Sequence, residues 1–222
     1  MDIKIIINAL TTLAAAFAGA LAAFQLESNR KKRETIDSHI STVNRSLYTV
    51  FNLWNILYQF QNEVIEPVRN NDDAWLNMAA TAPLNYGLTS FNAEELSFIL
   101  NTPHANTYSE LLLEEQRFWI AVHQIEMRSS IILNEVFPRF SAAGVPVYTS
   151  LSEQEIENII GIDVVHKLKQ LTENIIEHID DNVKSLEAVH NLLRNSAQSI
   201  YPGKKMVRIE FKKTGHDSDN NT

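Results

Sequence analysis

Between Ile5 and Leu26 the chain runs for 22 residues without a charged side chain, and about 20 apolar residues are what a helix needs to cross a hydrocarbon core. No other feature narrows the possible architectures so strongly, because such a segment either spans a bilayer, is removed as a secretory signal, or is buried inside a fold. Eight of the 22 residues are alanine, and Asn8, Thr11, Thr12 and Gln25 are polar, so insertion is weaker than for a leucine-rich span. Ala18-Gly19-Ala20 and Ala20-Leu21-Ala22 offer small-residue cleavage sites for the signal reading. Two features favour an anchor instead. The start Met1-Asp2-Ile3-Lys4 is nearly balanced in charge, and Arg30-Lys31-Lys32-Arg33 stands just past the segment, where positive charge resists translocation. Residues 1–29 are therefore expected to form a transmembrane anchor that meets lipid through residues 5–26.

The same cations set an expected orientation. Loops rich in Lys and Arg stay on the cytoplasmic side, and four adjacent cations follow the span while Lys4 stands alone before it. This predicts a single-pass protein of the plasma (inner) membrane with its soluble domain in the cytoplasm. Ala15, Gly19 and Ala23 recur every fourth residue, a spacing that lets two membrane helices approach closely, so a homo-oligomer is one expected assembly.

In a chain of 222 residues, the part beyond the anchor leaves room for one folded domain. A net charge of −8 argues against nucleic acid as a partner, since that affinity draws on phosphate neutralisation by Lys and Arg. With no cysteine there is no disulfide, thiolate nucleophile or zinc–thiolate site.

Hydrophobic periodicity is helical nearly throughout. Ile36, Ile40, Val43, Leu47, Val50, Trp54, Leu57 or Tyr58, Gln61 and Ile65 follow steps of three and four, and no glycine or proline occurs from Ala20 to Glu66. Residues 67–106 read as an irregular connector. In it Asp72 or Asp73 can cap a short helix through Ala80, and Asn92 with Glu95 resembles a capping box opening a helix to Leu100. A second long helix is predicted from Thr107, boxed by Glu110, to Phe137 before Pro138. Ser152 with Glu155 opens a short helix ending near Gly161, and Asp163 can cap the last long helix, which ends near Ser199 before Pro202-Gly203. Val207 to Phe211 is the one short strand-like alternation.

Few residues offer chemistry. Glu187 and His190 have the Glu-x-x-His spacing that puts carboxylate and imidazole on one helix face for a carboxylate-bridged metal, but no second such pair occurs to complete a site. Glu173, Glu177, His178, Asp180 and Asp181 are dense in ligating groups, yet helical rotation spreads them around the cylinder. In the second long helix Leu111, Glu115, Phe118, Val122, Ile125, Ser129, Ile132 and Val136 form a coiled-coil heptad, and Glu126 is assigned to the same face. Carboxylates on an apolar face need partners, and Arg69, Arg117, Arg128 and His123 are the candidates, with Arg117 and Arg128 placed outside the stripe. The basic run Lys204, Lys205, Arg208, Lys212 and Lys213 opens a tail, residues 204–222, expected to be disordered.

The sequence thus specifies an all-α fold: an elongated bundle of long amphipathic helices over residues 30–203, preceded by one N-terminal transmembrane helix. It predicts no catalytic, cofactor-binding or metal residues and no cofactor. The expected function is that of a membrane-tethered, non-enzymatic interaction protein, a scaffold, sensor or regulatory subunit with a protein partner. The alternative is a membrane-attached enzyme or ligand-binding module using Glu115, Glu126 and His123 or His190.

Overall fold

The computed structural model describes residues 3–81, 90–146 and 151–212, and every regular element among them is helical. The chain divides into two compact units, residues 1–42 and 43–222. Helix α1 (Ile3–Phe60) contributes to both. Pro83, Lys213 and the polar tail expected to be disordered lie outside the described residues.

In the first unit, α1 is long and apolar enough to cross a membrane, and nothing in its apolar window is buried. Ile3, Ile7, Leu10, Leu13, Phe17, Leu21 and Phe24 recur in steps of three and four, and each is at least 49% exposed. That spacing places these seven side chains on one face of the helix. Thr11 and Thr12 satisfy their hydroxyls on the carbonyls of Ile7 and Asn8, one turn back, which removes most of their polarity from the surface.

In the second unit the expected stripe of α1 is buried: Val43, Leu47, Val50, Trp54 and Leu57 are at most 2% exposed. Helix α1 passes into a π-turn at Gln61–Ile65, where the Glu66 amide donates to the Gln61 carbonyl at 2.9 Å. Two short helices follow, α2 (Ala74–Asn77) and α3 (Ala93–Leu96), the latter running into a 3-10 turn at Ser97–Asn101. Helix α4 (Ala105–Ile131) also ends in a π-turn, Ile132–Val136, and continues as α5 (Phe137–Ala142). The helix expected to stop before Pro138 therefore passes it. A proline lacks an amide hydrogen and its ring collides with the carbonyl four residues back in an α-helix, but a π-turn displaces the ladder by one residue and makes room. Pro67 stands in the same relation to the first π-turn.

Helices α6 (Glu153–Ile160) and α7 (Ile162–Ile200) complete the unit. The capping boxes read from the sequence are present at Ser152, whose hydroxyl and amide engage Glu155, and in part at Asn92, whose side chain accepts from the Glu95 amide. Three other boundaries differ. Helix α2 stops at Asn77, short of Ala80, and Asp73 makes no side-chain cap. Helix α4 starts at Ala105 because the Thr102 hydroxyl accepts from the His104 amide and turns the chain earlier; Thr107 lies inside the helix. Helix α7 starts straight after Gly161, with Asp163 in its first turn. Val207–Phe211 forms no strand.

One core cluster joins the ends of four elements: Trp75 from α2, Ile131, Ile132 and Val136 from the end of α4, Ile156 and Ile160 from α6, and Val165 and Leu168 from α7. The guanidinium of Arg139 on α5 closes it by donating to the Ile160 carbonyl at the end of α6. Gly161 then serves as the last cap of α6 and the first of α7 with φ +89° and ψ 141°, a region open to glycine alone. Gly161→Ala should destabilise the protein by about 1–3 kcal/mol, measured by urea unfolding of the detergent-solubilised chain. An alanine placed there meets only the Arg139 guanidinium at 3.6 Å, an ordinary contact, so any loss reports backbone strain.

Candidate functional site

Hydrogen bonds between α4 and α7 align them antiparallel, since partners rise in number on one helix as they fall on the other. The Thr107 hydroxyl meets Ser196 at 2.9 Å, the Ser185 hydroxyl donates to Glu114 at 2.5 Å, and the Asn182 amide donates to the Arg117 carbonyl at 3.2 Å. Further along, Gln124 meets the His178 ring at 2.8 Å, and Arg128 donates through Nε to the Thr172 hydroxyl at 2.9 Å. On α4 the positions Thr107, Glu114, Ala121 and Arg128 repeat every seven residues, and all four are at most 2% exposed. This polar seam runs beside the apolar heptad and shares Leu111, Phe118 and Ile125 with it.

The seam corrects the expected placement of charge. Glu126 is exposed, and Glu115 is only half-buried. The buried carboxylate is Glu114, which also accepts from Arg117 at 2.6 Å, and Arg128, expected outside the stripe, is 1% exposed. A seven-residue repeat fits two adjacent tracks on one helix, and the sequence stripe follows the track carrying Glu115 while α7 covers the other as well. Glu115 takes the Phe91 amide as a donor; burial raises its carboxyl above the usual range and that hydrogen bond acts against the rise. None of the four proposed cations meets Glu115 or Glu126 among the described residues. Arg69 grips both oxygens of Asp180 at 2.8 Å and also holds Glu66. Burial acts to raise the Asp180 carboxyl, but hydrogen bonds from Arg69 and Gln61 outweigh it and hold the group low.

Arg128 has no carboxylate partner among the described residues. Besides Thr172 it donates to the Trp75 carbonyl at 2.8 Å, and burial brings its guanidinium down to about 10. It therefore ties α4 to α7 and to α2 at once. The Trp75 ring is also met by Lys169, whose ammonium lies 5.5 Å from the ring centroid and pairs with Glu153 at 2.7 Å.

The remaining candidates do not converge. Glu115 and Glu126 are about 16 Å apart along α4 by helical rise, and His123 is exposed. Glu187 is half-buried, one turn before the fully buried His190, which faces the Phe211 ring. Within the dense acidic stretch, Asp180 belongs to Arg69 and His178 to Gln124, while Glu173, Glu177 and Asp181 point to solvent. No group of three or more His, Asp or Glu side chains suited to a metal ion occurs among the described residues. A second feature departs from the expectation: residues 204–212, expected to belong to a disordered tail, lie against α1 and α7. The Val207 amide donates to Asn44 Oδ1 at 2.9 Å, and Phe211 packs edge-on to Trp54 with ring centroids 5.0 Å apart.

Arg128→Ala should lower stability by on the order of 3 kcal/mol, because it opens a cavity and strands the Thr172 and Trp75 acceptors. Arg128→Met keeps most of the volume and removes a desolvated charge, so it should cost clearly less. Urea denaturation compares the two; equal losses would show that the hydrogen bonds alone set the effect. The chain matches no family model, no curated protein and no solved structure.

Proposed function

We propose that the protein is anchored in the plasma (inner) membrane by residues 5–26 and presents a cytoplasmic helical bundle to a protein partner, as a non-enzymatic scaffold, sensor or regulatory subunit. The observation that carries this reading is the exposed apolar surface of α1 in the first unit. Ile7, Leu10, Leu13, Phe17, Leu21 and Phe24 are 49–73% exposed with no charge among them, a surface suited to lipid and not to water. Arg30 and Lys31 share Glu27 at 3.1 and 3.7 Å, while Lys32 and Arg33 are exposed beside them. The cations thus fall where a span would emerge on its positive side.

A partner-binding role draws on the outward face of α4 and α5. Leu113, Ile120 and Met127 repeat every seven residues and are 36–44% exposed, and Leu133 and Phe137 are 48% and 55% exposed. Exposed apolar side chains in such a row suit a helical partner. Self-association through Ala15, Gly19 and Ala23 is a compatible assembly, since nothing lies within 4 Å of a side chain placed at Gly19.

The full-length protein should sediment with membranes and resist carbonate and high-salt washing. Leu13→Arg with Phe17→Arg should release it, because a charge at the centre of a span costs about 2.5–3.5 kcal/mol per residue. Recovery of a wild-type product trimmed near Ala20 or Ala22 would replace the anchor with a cleaved signal. For orientation, a reporter fused after Thr222 should be active only if it works in the cytoplasm, and activity of an export-dependent reporter would reverse the assignment.

A further inference from the structure

Past α7 the chain turns at Gly203, with φ +81°, and residues 204–212 run back along the second unit without forming helix or strand. Three side chains hold the segment down: Met206 is 7% exposed, Ile209 is half-buried, and Phe211 enters an aromatic box. The Phe211 ring lies 5.0 Å from Trp54, 5.9 Å from Phe51 and 4.9 Å from the imidazole of His190, edge-on to that imidazole at 85°. His190 is 1% exposed, and neither ring nitrogen makes a full hydrogen bond among the described residues.

We propose that residues 204–212 act as a pH-sensitive strap, docked while His190 is neutral and released when it is protonated. Docking sets His190 into a box made of Phe211 and, behind it, Trp54 and Phe51, where an imidazolium has no full partner. The edge-to-face contact with Phe211 returns less than desolvating that charge takes away. The neighbouring Arg194 charge acts the same way. On α7, Arg194 lies one turn after His190 and Glu187 one turn before it; on the strap Arg208, Glu210 and Lys212 are all exposed; and Arg45 of α1 is engaged with Glu95 at 3.3 Å. Arg194 is the charge that opposes the imidazolium. Burial holds the imidazole below the ordinary histidine range, the Asn191 amide acts against that shift, and Arg194 adds to it.

The sign follows from linkage. A histidine whose docked value is depressed leaves docking at full strength above the free value of about 6.5 and weakens it as the pH falls below that value, up to tenfold per pH unit until the docked value is reached. A terminal segment with no internal hydrogen-bond ladder is also the element that opens first. Release uncovers the rings of Phe51, Trp54 and His190 that Phe211 packs against.

The test uses full-length protein in detergent with carbon-13-labelled methionine methyl groups, recorded from pH 8 to pH 5. Met206 is assigned through Met206→Leu, and Met78, 2% exposed in the second unit, reports global folding. The Met206 signal should move to a solvent-exposed position below about pH 6.5 while Met78 stays. In His190→Phe, and in His190→Gln should the first variant not fold, Met206 should stay docked or undocked without changing with pH. Phe211→Ala should place Met206 in the exposed position at pH 8. A Met206 signal fixed down to pH 5, a shift shared with Met78, a transition that survives removal of the imidazole, or a docked Met206 in Phe211→Ala would each overturn the proposal.

Discussion

A buried guanidinium with no carboxylate opposite it costs free energy unless its donors are satisfied, and Arg128 meets that condition by reaching two different elements. The Thr172 hydroxyl belongs to α7 and the Trp75 carbonyl to α2, so the side chain can be satisfied only when all three elements are in place. This makes the junction cooperative: α2 is four residues long, far too short to persist alone, and it is held by Arg128 at the Trp75 carbonyl and Lys169 at the Trp75 ring. The apolar cluster of Trp75, Ile131, Ile160 and Leu168 then fills the space that these contacts define.

The rest of the α4–α7 seam applies the same logic with smaller groups. Apolar side chains at a heptad spacing tolerate sliding by a turn, because leucine and isoleucine pack acceptably in more than one register. Hydroxyls, amides and carboxylates do not, since each displaced pair leaves buried donors and acceptors unsatisfied. Thr107 with Ser196 at one end and Arg128 with Thr172 at the other therefore fix the register of two long helices along most of the length of α4.

How much of this was legible in the sequence depended on the range of the interaction concerned. Local signals were accurate: the Ser152–Glu155 box, the end of α7 before Pro202-Gly203, and the buried run from Val43 to Leu57 are each written in one short continuous stretch of chain. The boundaries that moved did so through competition. Thr107 has the right chemistry for a cap, but its hydroxyl is used by Ser196, 89 residues away. Pro138 looked like a stop because the π-turn before it has no signature in composition. The exchange of Glu115 and Glu126 for Glu114 and Arg128 as buried charges arose because two adjacent heptad tracks cannot be ranked until the covering helix is known. Docking of residues 204–212 was invisible for the same reason, since an extended segment with four cations looks solvated until Asn44 and the Trp54 box are brought beneath it. The ligand-like residues were legible as types, but their positions in the fold assign most of them to architecture.

The two π-turns bear on how this architecture tolerates change. A π-turn is in effect one extra residue threaded into an α-helix, and each residue advances the helix by about 100°. Gln61–Ile65 and Ile132–Val136 therefore act as phase shifters, setting which side of the helix faces inward beyond them. Ordinary substitutions within either turn leave that phase alone. Loss of a single residue would instead restore α geometry and swing everything downstream by more than a quarter of a revolution, carrying Arg69 away from Asp180 in one case and Arg139 away from Ile160 in the other. In lineages of this protein, length changes should therefore collect in the connectors, while both turns keep a constant residue count even where their side chains vary freely.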